Sequence, residues 1–218
     1  MTVDAVVFDG SGTLIDDIFA VWSADLAAFK SFGYKFAESV EEFKAIFKLP
    51  IPEFYKAAGV PEHMVAKVNN AFRKFYAEYN THNKIFPDVR DALAELRREH
   101  IVLGIASNIP TTFLKEHLER FGILERFGAI TGQDDCDEQK PSPKPILTTL
   151  TKLGVSPDRS MYVGDMEEDM IAGKRANVIT VAISRDNSYH PQWRLRRQNP
   201  DYSISKLNEL VAIIKTRT

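Results

Sequence analysis

Val6-Val7-Phe8-Asp9-Gly10-Ser11-Gly12-Thr13-Leu14 decides the reading of this chain. An apolar, β-type run stops at a carboxylate, and two glycines and a hydroxyl follow. A buried strand of this kind delivers one acidic side chain to the rim of a sheet. The small residues after it let backbone N–H groups approach an anion. One aspartate after one apolar run says little by itself, because aspartate opens turns and caps helices. Its weight comes from what ends the other apolar runs.

Those runs are residues 101–106, 128–131, 161–163 and 178–183, which with Ala5–Phe8 read as five strands. Helical spacing fills most of the intervals. Val89, Leu93 and Leu96 follow Asp88 as an expected N-cap. Phe113, Leu114, Leu118 and Phe121 stop at Gly122, and Ile146, Leu147, Leu150 and Leu153 stop at Gly154. Residues 207–214 read as a terminal helix. Strands alternating with single helices predict right-handed crossovers, hence an α/β fold with a Rossmann-like parallel sheet core and helices on both faces.

The interval between the first two strands breaks that rhythm. It holds three amphipathic patterns: Ile18, Trp22, Leu26 and Phe29; then Val40, Phe43, Ile46 and Phe47 behind a Ser39–Glu42 capping box; then Met64, Val68, Phe72, Phe75 and Tyr79 behind Pro61. Three such faces can bury one another. The expected organisation is an α/β core domain of residues 1–15 and 86–218 and an inserted all-α cap domain of residues 16–85. Residues 80–84 would be the return hinge.

Composition narrows the classes. The 218 residues are 44% hydrophobic and 27% charged, with a formal net charge of −2. That gives no bulk basic field for nucleic acid or an anionic membrane. No apolar run approaches the roughly 18–20 residues of a membrane span. The lone Cys136 excludes an internal disulfide and fits a cytoplasmic, reducing setting, and its acidic neighbours Asp134, Asp135 and Asp137 disfavour a thiolate. The five histidines show no paired ligand spacing for zinc.

In an open parallel sheet, ligands sit outside the carboxyl ends of the strands. Asp9 ends the first run. Ser107 and Asn108 follow the second, and Gly164 and Asp165 follow the fourth, with Asp169 one helical turn later. Lys140 lies in the rigid segment Gln139-Lys140-Pro141-Ser142-Pro143. Asp9, Asp165 and Asp169 together offer three hard oxygen donors, the class that suits Mg²⁺. Glu167 and Glu168 read as acids of the first helical turn.

These motifs, in this order, resemble the haloacid dehalogenase-like (HAD) hydrolase superfamily, in its phosphoglycolate phosphatase-like subgroup with a helical cap inserted after the first strand. Asp9-Gly10-Ser11-Gly12-Thr13-Leu14, Ser107, Lys140 and Gly164-Asp165-Met166-Glu167-Glu168-Asp169 correspond to its four motifs. The resemblance implies a Mg²⁺-dependent phosphatase of a small phosphorylated metabolite. Asp9 would be the nucleophile and carry an aspartyl-phosphate. The metal ligands would be Asp9, the Ser11 carbonyl, Asp165 and Asp169. Ser107, Asn108, Lys140 and Gly10 would line the phosphoryl group, with Lys140 also neutralising charge around Asp9. The cap would close over the site and select the leaving group. Oligomeric state and the particular metabolite are not readable from the chain.

Position 11 departs from that family's pattern, in which a second aspartate protonates the leaving oxygen and then activates water. A serine hydroxyl is a poor acid and a poor base. General acid–base catalysis is worth ~10²–10⁴-fold. Four readings follow. Another acid, such as Asp16, Asp17 or a cap residue, replaces it, or the substrate has a good leaving group. The serine is an aspartate replacement made to trap a ligand. The chain is a slow or silent phospho-ligand binder. Or the chemistry differs, as in phosphonoacetaldehyde hydrolases, for which Lys48 would form the Schiff base. Arg185, Arg194, Arg196 and Arg197 around Trp193, near His190, read either as a solvated excursion or as a contact for phosphate-rich partners.

Overall fold

Side chains alternate across a strand, and that alternation sorts this chain's apolar residues into two cores. The computed structural model describes residues 2–217. The first stretch of chain gives β1 (Ala5–Phe8), β2 (Ile15–Asp16) and helices α1 (Ile18–Ser31), α2 (Val40–Ile46), α3 (Ile51–Ala57) and α4 (Glu62–Tyr79). Then come β3 (Lys84–Ile85), α5 (Val89–Arg98), β4 (Val102–Ala106), α6 (Thr111–Arg120) and β5 (Ala129–Thr131). The last third gives α7 (Lys144–Leu153), β6 (Ser160–Gly164), α8 (Glu167–Arg175), β7 (Ile179–Ile183), α9 (Gln192–Arg197), β8 (Tyr202–Ile204) and α10 (Glu209–Lys215).

Among the described residues, six strands form one sheet in the order β5-β4-β1-β6-β7-β8, and every pairing is parallel. Val6 and Phe8 face one core with Leu103, Ile105, Met161 and Val163, covered by residues of α5, α6 and α10. Ala5 and Val7 face the other with Ala106 and Tyr162, covered by α7 and α8. Each large apolar side chain fully buried this way stabilises the fold by about 1.5–3 kcal/mol. The expected fold class is met. From β1 the chain builds β4 and β5 on one side of the sheet, then returns to build β6, β7 and β8 on the other. Its switch point therefore lies at β1, which brings the carboxyl ends of β1, β4 and β6 side by side.

The chain divides into two compact units, one containing the residues up to Asp16 and from Ile85 onward, the other Asp17–Lys84. The second unit is built of helices joined by short irregular connections, with Lys84 of β3 at its end, and packs around aromatic rings. Phe29 meets Tyr55 edge-on with centroids 5.3 Å apart, and Phe54 meets Phe47 at 5.1 Å. Inside this cluster the Tyr55 hydroxyl donates to Asp25 Oδ1 at 2.6 Å, and burial pushes the Asp25 carboxyl up to about 7.

Several local expectations need correction. Four helices fill the second unit where three were expected, because α3 begins Ile51-Pro52, which reads as a break although proline is tolerated in a first helical turn. β8 was absent from the five expected strands. Asp88 makes no side-chain cap. Its carboxylate instead takes both terminal Arg185 nitrogens, at 2.9 and 3.3 Å, and the Leu207 N–H at 2.7 Å. Arg185 is therefore no solvated residue: its side chain is 8% exposed and stacks on Phe86. Ser39 Oγ caps Glu42 N, while Glu42 turns its own carboxylate to Glu38 N, so the reciprocal half of the capping box is missing.

Candidate active site

Asp9 sits one residue beyond β1, 3% exposed, with its N–H on the Val163 carbonyl at 2.8 Å. Asp165 follows β6 and Asp169 lies in the first turn of α8, both fully buried. Carboxylate oxygens from the three lie within 4.8 Å of one another. Lys140, in the turn before α7, threads its stem to them and is 1% exposed. Its Nζ lies 2.6 Å from Asp169 Oδ1 and 2.7 Å from Asp9 Oδ1. The contact with Asp9 is an ion pair off the hydrogen-bond direction, so that buried oxygen has no aligned donor.

Two glycines make room for this crowding. A Cβ on Gly12 would meet Asp165 Oδ2 at 2.2 Å, and Gly12 also has a left-handed φ of +70°. A Cβ on Gly164 would meet the Asp169 carboxylate at 2.4 Å. The carboxylates are held by backbone donors: Tyr189 N–H to Asp165 Oδ2 at 2.7 Å, and Met166 N–H to Asp169 Oδ2 at 2.9 Å. Thr13 Oγ1 lies 3.4 Å from Asp165 Oδ1.

Electrostatics follow from burial. Desolvation raises the Asp9 carboxyl to about 6, against the opposing pull of Lys140 and with the Asp169 charge adding to the rise. Asp165 is pushed well above the carboxylate range by burial and then by Asp169 and Asp9. Burial alone would lower the Lys140 ammonium, but the carboxylates of Asp169 and Asp9 outweigh it and hold the lysine charged. Three carboxylates thus face one ammonium. With all three ionised they exceed that ammonium by two negative charges; a buried set of carboxylate oxygens of this kind fits a hard divalent cation, which would favour the ionised forms, and the unaligned oxygen of Asp9 is a lone pair such an ion would take.

Ser107, 2% exposed, places its Oγ where a Cβ on Gly10 would lie 3.0 Å away, so its hydroxyl borders the Asp9-Gly10 peptide. It accepts the Ile109 N–H at 3.3 Å, which leaves its own proton to donate. Asn108 turns to Lys140: its Oδ1 accepts the Lys140 N–H at 3.2 Å, and its Nδ2 lies 3.5 Å from the Lys140 carbonyl. Ser11 is half-buried and bridges to Ile15 across the turn. Asp16 accepts Asn187 Nδ2 on both oxygens at 3.1 Å. Asp17, in the other unit, is buried just before α1, and Lys48 is exposed between α2 and α3.

Two contributors were not visible in the sequence. Tyr162, inside the run 161–163 that reads as a strand, brings its hydroxyl to Lys140 Nζ at 2.9 Å. Tyr189 acts through its backbone, which no residue pattern signals. Glu167, Glu168 and His190 also gather ligand atoms within 4.8 Å, but His190 Nδ1 accepts the Glu167 N–H at 3.1 Å and Glu167 pairs with Arg194.

A profile described as haloacid dehalogenase-like hydrolase matches residues 6–183, spanning both units and every strand from β1 to β7. The chain belongs to this family. Within it, the HAD-like chain is 30% identical over 218 residues to pyrophosphatase PpaX of Oceanobacillus iheyensis, covering 98% of each. It is 31% identical over 169 residues to phosphoglycolate phosphatase of Salmonella typhi, covering 77% of this chain and 65% of that enzyme. A haloacid dehalogenase-like family hydrolase from Streptococcus pneumoniae has the same fold, with a TM-score of 0.84 at 22% identity over 97% of this chain and 98% of that one. Among the described residues no helix is long and apolar enough to cross a membrane.

Proposed function

We propose that this HAD-like hydrolase is a Mg²⁺-dependent phosphatase of a small phosphorylated metabolite, working through an aspartyl-phosphate on Asp9. Ser11 narrows it to substrates whose leaving group departs without a proton. The observation that carries this reading is the meeting of Asp9, Asp165, Asp169 and Lys140 at the carboxyl end of β1, with the Asp9–Lys140 contact at 2.7 Å. The relatives' names, a pyrophosphatase and a phosphoglycolate phosphatase, agree with a phosphatase of small phosphorylated compounds, and the narrowing by leaving group rests on Ser11 alone. The lone, half-buried Cys136 agrees with a cytoplasmic setting.

Asp9, Asp165, Asp169 and the Ser11 carbonyl would hold Mg²⁺, which when bound supplies positive charge against the phosphoryl oxygens. A carboxylate oxygen of Asp9 attacks phosphorus, the bond to the leaving oxygen breaks, and that oxygen departs with the electron pair. Ser107 donates its proton to a phosphoryl oxygen. Gly10 keeps the space between that hydroxyl and Asp9 clear. Lys140 holds Asp9 as the carboxylate and offsets the charge of Asp169. Water then attacks phosphorus and releases Asp9, giving its proton to solvent or to the departing phosphate. Neither step has an acid or base from residue 11, a loss on the order of 10²–10⁴-fold, or roughly 3–5 kcal/mol of barrier, wherever the leaving group needs a proton. The second unit acts as the cap that selects the leaving group.

Ser11 also favours a second reading, a phospho-ligand-binding protein that turns over little. One assay separates the two. p-Nitrophenyl phosphate, whose leaving group needs little protonation, is hydrolysed in Mg²⁺ and not without it, alkyl phosphates are poor substrates, and Asp9→Asn is inactive on both. Ser11→Asp then raises alkyl phosphate turnover. No Asp9-dependent turnover on either substrate contradicts the phosphatase reading.

A further inference from the structure

Tyr162 is the middle residue of β6, paired in register with Val7 of β1 and Thr180 of β7. Its ring is fully buried in the core under α7 and α8, a place any large apolar residue would fill. Its hydroxyl does something an apolar residue cannot. It donates to the Ala106 carbonyl at 2.8 Å, on the last residue of β4 and directly before Ser107. It accepts from Lys140 Nζ at 2.9 Å and lies 3.2 Å from Asp169 Oδ1.

A lysine ammonium is a compact charge on a flexible stem with about 2 kcal/mol of rotamer entropy, so carboxylates alone fix it poorly. Here the stem is held at both ends. Asn108 takes the Lys140 backbone N–H at 3.2 Å, and the Tyr162 oxygen takes an N–H of the ammonium. With Asp169 occupying another N–H, Nζ is left 2.7 Å from Asp9 Oδ1, an ion pair off the hydrogen-bond direction. The anchor for all of this is the carbonyl at the end of β4, which is as rigid as the sheet.

We propose that Tyr162 is a positioning residue for Lys140: its hydroxyl, fastened to Ala106, seats the ammonium between Asp9 and Asp169, and Asn108 seats the same lysine's backbone. Tyr162 touches neither metal nor substrate, and it acts through Lys140. This rests on the reading of the site given above.

Tyr162→Phe keeps the ring and removes one oxygen. With p-nitrophenyl phosphate and Mg²⁺, kcat falls on the order of 10- to 100-fold, the cost of misplacing a charged group by about 1 Å, while KM changes little. The discriminating arm is a double-mutant cycle. In a Lys140→Met background Tyr162→Phe costs less than about twofold more, because its target is gone. Should Lys140→Met fail to fold, Tyr162→Phe with Asn108→Ala replaces it, and the combined loss equals the larger single loss. A crystal structure of Tyr162→Phe shows Nζ displaced from Asp9. Losses that multiply, a wild-type kcat in Tyr162→Phe, or an unmoved Lys140 overturn the proposal. Failure of the site reading is told apart by the wild-type chain itself, which would then show no turnover lost on Asp9→Asn.

Discussion

Gly12→Ala adds one methyl group at the most crowded point of the site. Two costs arise, and the structure separates them. The first is backbone strain: Gly12 has φ +70°, and an L-residue there loses about 1–2 kcal/mol. The second is the collision of the new Cβ with Asp165 Oδ2 at 2.2 Å. Asp165 has to retreat by about 1 Å, which breaks its 2.7 Å bond from the Tyr189 N–H, a charge-assisted bond worth about 1.5–3 kcal/mol. The total is about 3–5 kcal/mol, a large share of a typical stability. At about 2–4 °C per kcal/mol for a chain of this size, Tm falls by roughly 6–20 °C. Gly154→Ala is the matched control, since Gly154 has φ +68° and no atom lies within 4 Å of the place its new methyl would take. It incurs only the strain. Urea denaturation followed by circular dichroism gives both values, and phosphatase activity should fall about 100-fold in Gly12→Ala alone. Equal losses for the two variants would refute the reasoning, because the collision would then carry no cost.

Asp25→Asn tests a buried carboxyl of the helical unit. Its folded pKa of about 7 lies above the ordinary 3.8, so its contribution to stability is complete below 3.8 and is lost as pH rises through 7. That gap corresponds to about 4 kcal/mol at most. The variant should match wild type at pH 4 and exceed it at pH 8, and a constant difference across that range contradicts the assignment. Asp88→Ala strips the carboxylate from Arg185, 8% exposed, and from the Leu207 N–H. It should cost about 3–5 kcal/mol by denaturation, and a loss under about 1 kcal/mol would show the pair to be dispensable.

The parts of this protein written in local sequence were legible in it. Each central strand is an apolar run ended by a polar residue, so Asp9, Ser107 and Asp165 announce both the sheet and its working edge. Asp169 is legible because one helical turn separates it from Asp165. What stayed hidden depends on distance along the chain or on backbone. Asp88 and Arg185 lie 97 residues apart, so the cap expected of Asp88 gave way to an ion pair no local pattern encodes. The Tyr189 N–H would be there with any side chain but proline. Tyr162 fits an apolar strand so well that its hydroxyl, the end that meets Lys140, went unread. α3 was masked by Pro50 and Pro52, which mark a break in sequence and a first turn in the fold.

The nucleophile can be caught directly. A rapid-quench reaction of the Mg²⁺-loaded chain with p-nitrophenyl phosphate, followed by borohydride, reduces an aspartyl-phosphate to homoserine, which peptide mass spectrometry locates. Homoserine at position 9, absent from Asp9→Asn, is the predicted result. Steady p-nitrophenol release with residue 9 still aspartate, or with the label on another carboxylate, would contradict the account at its root.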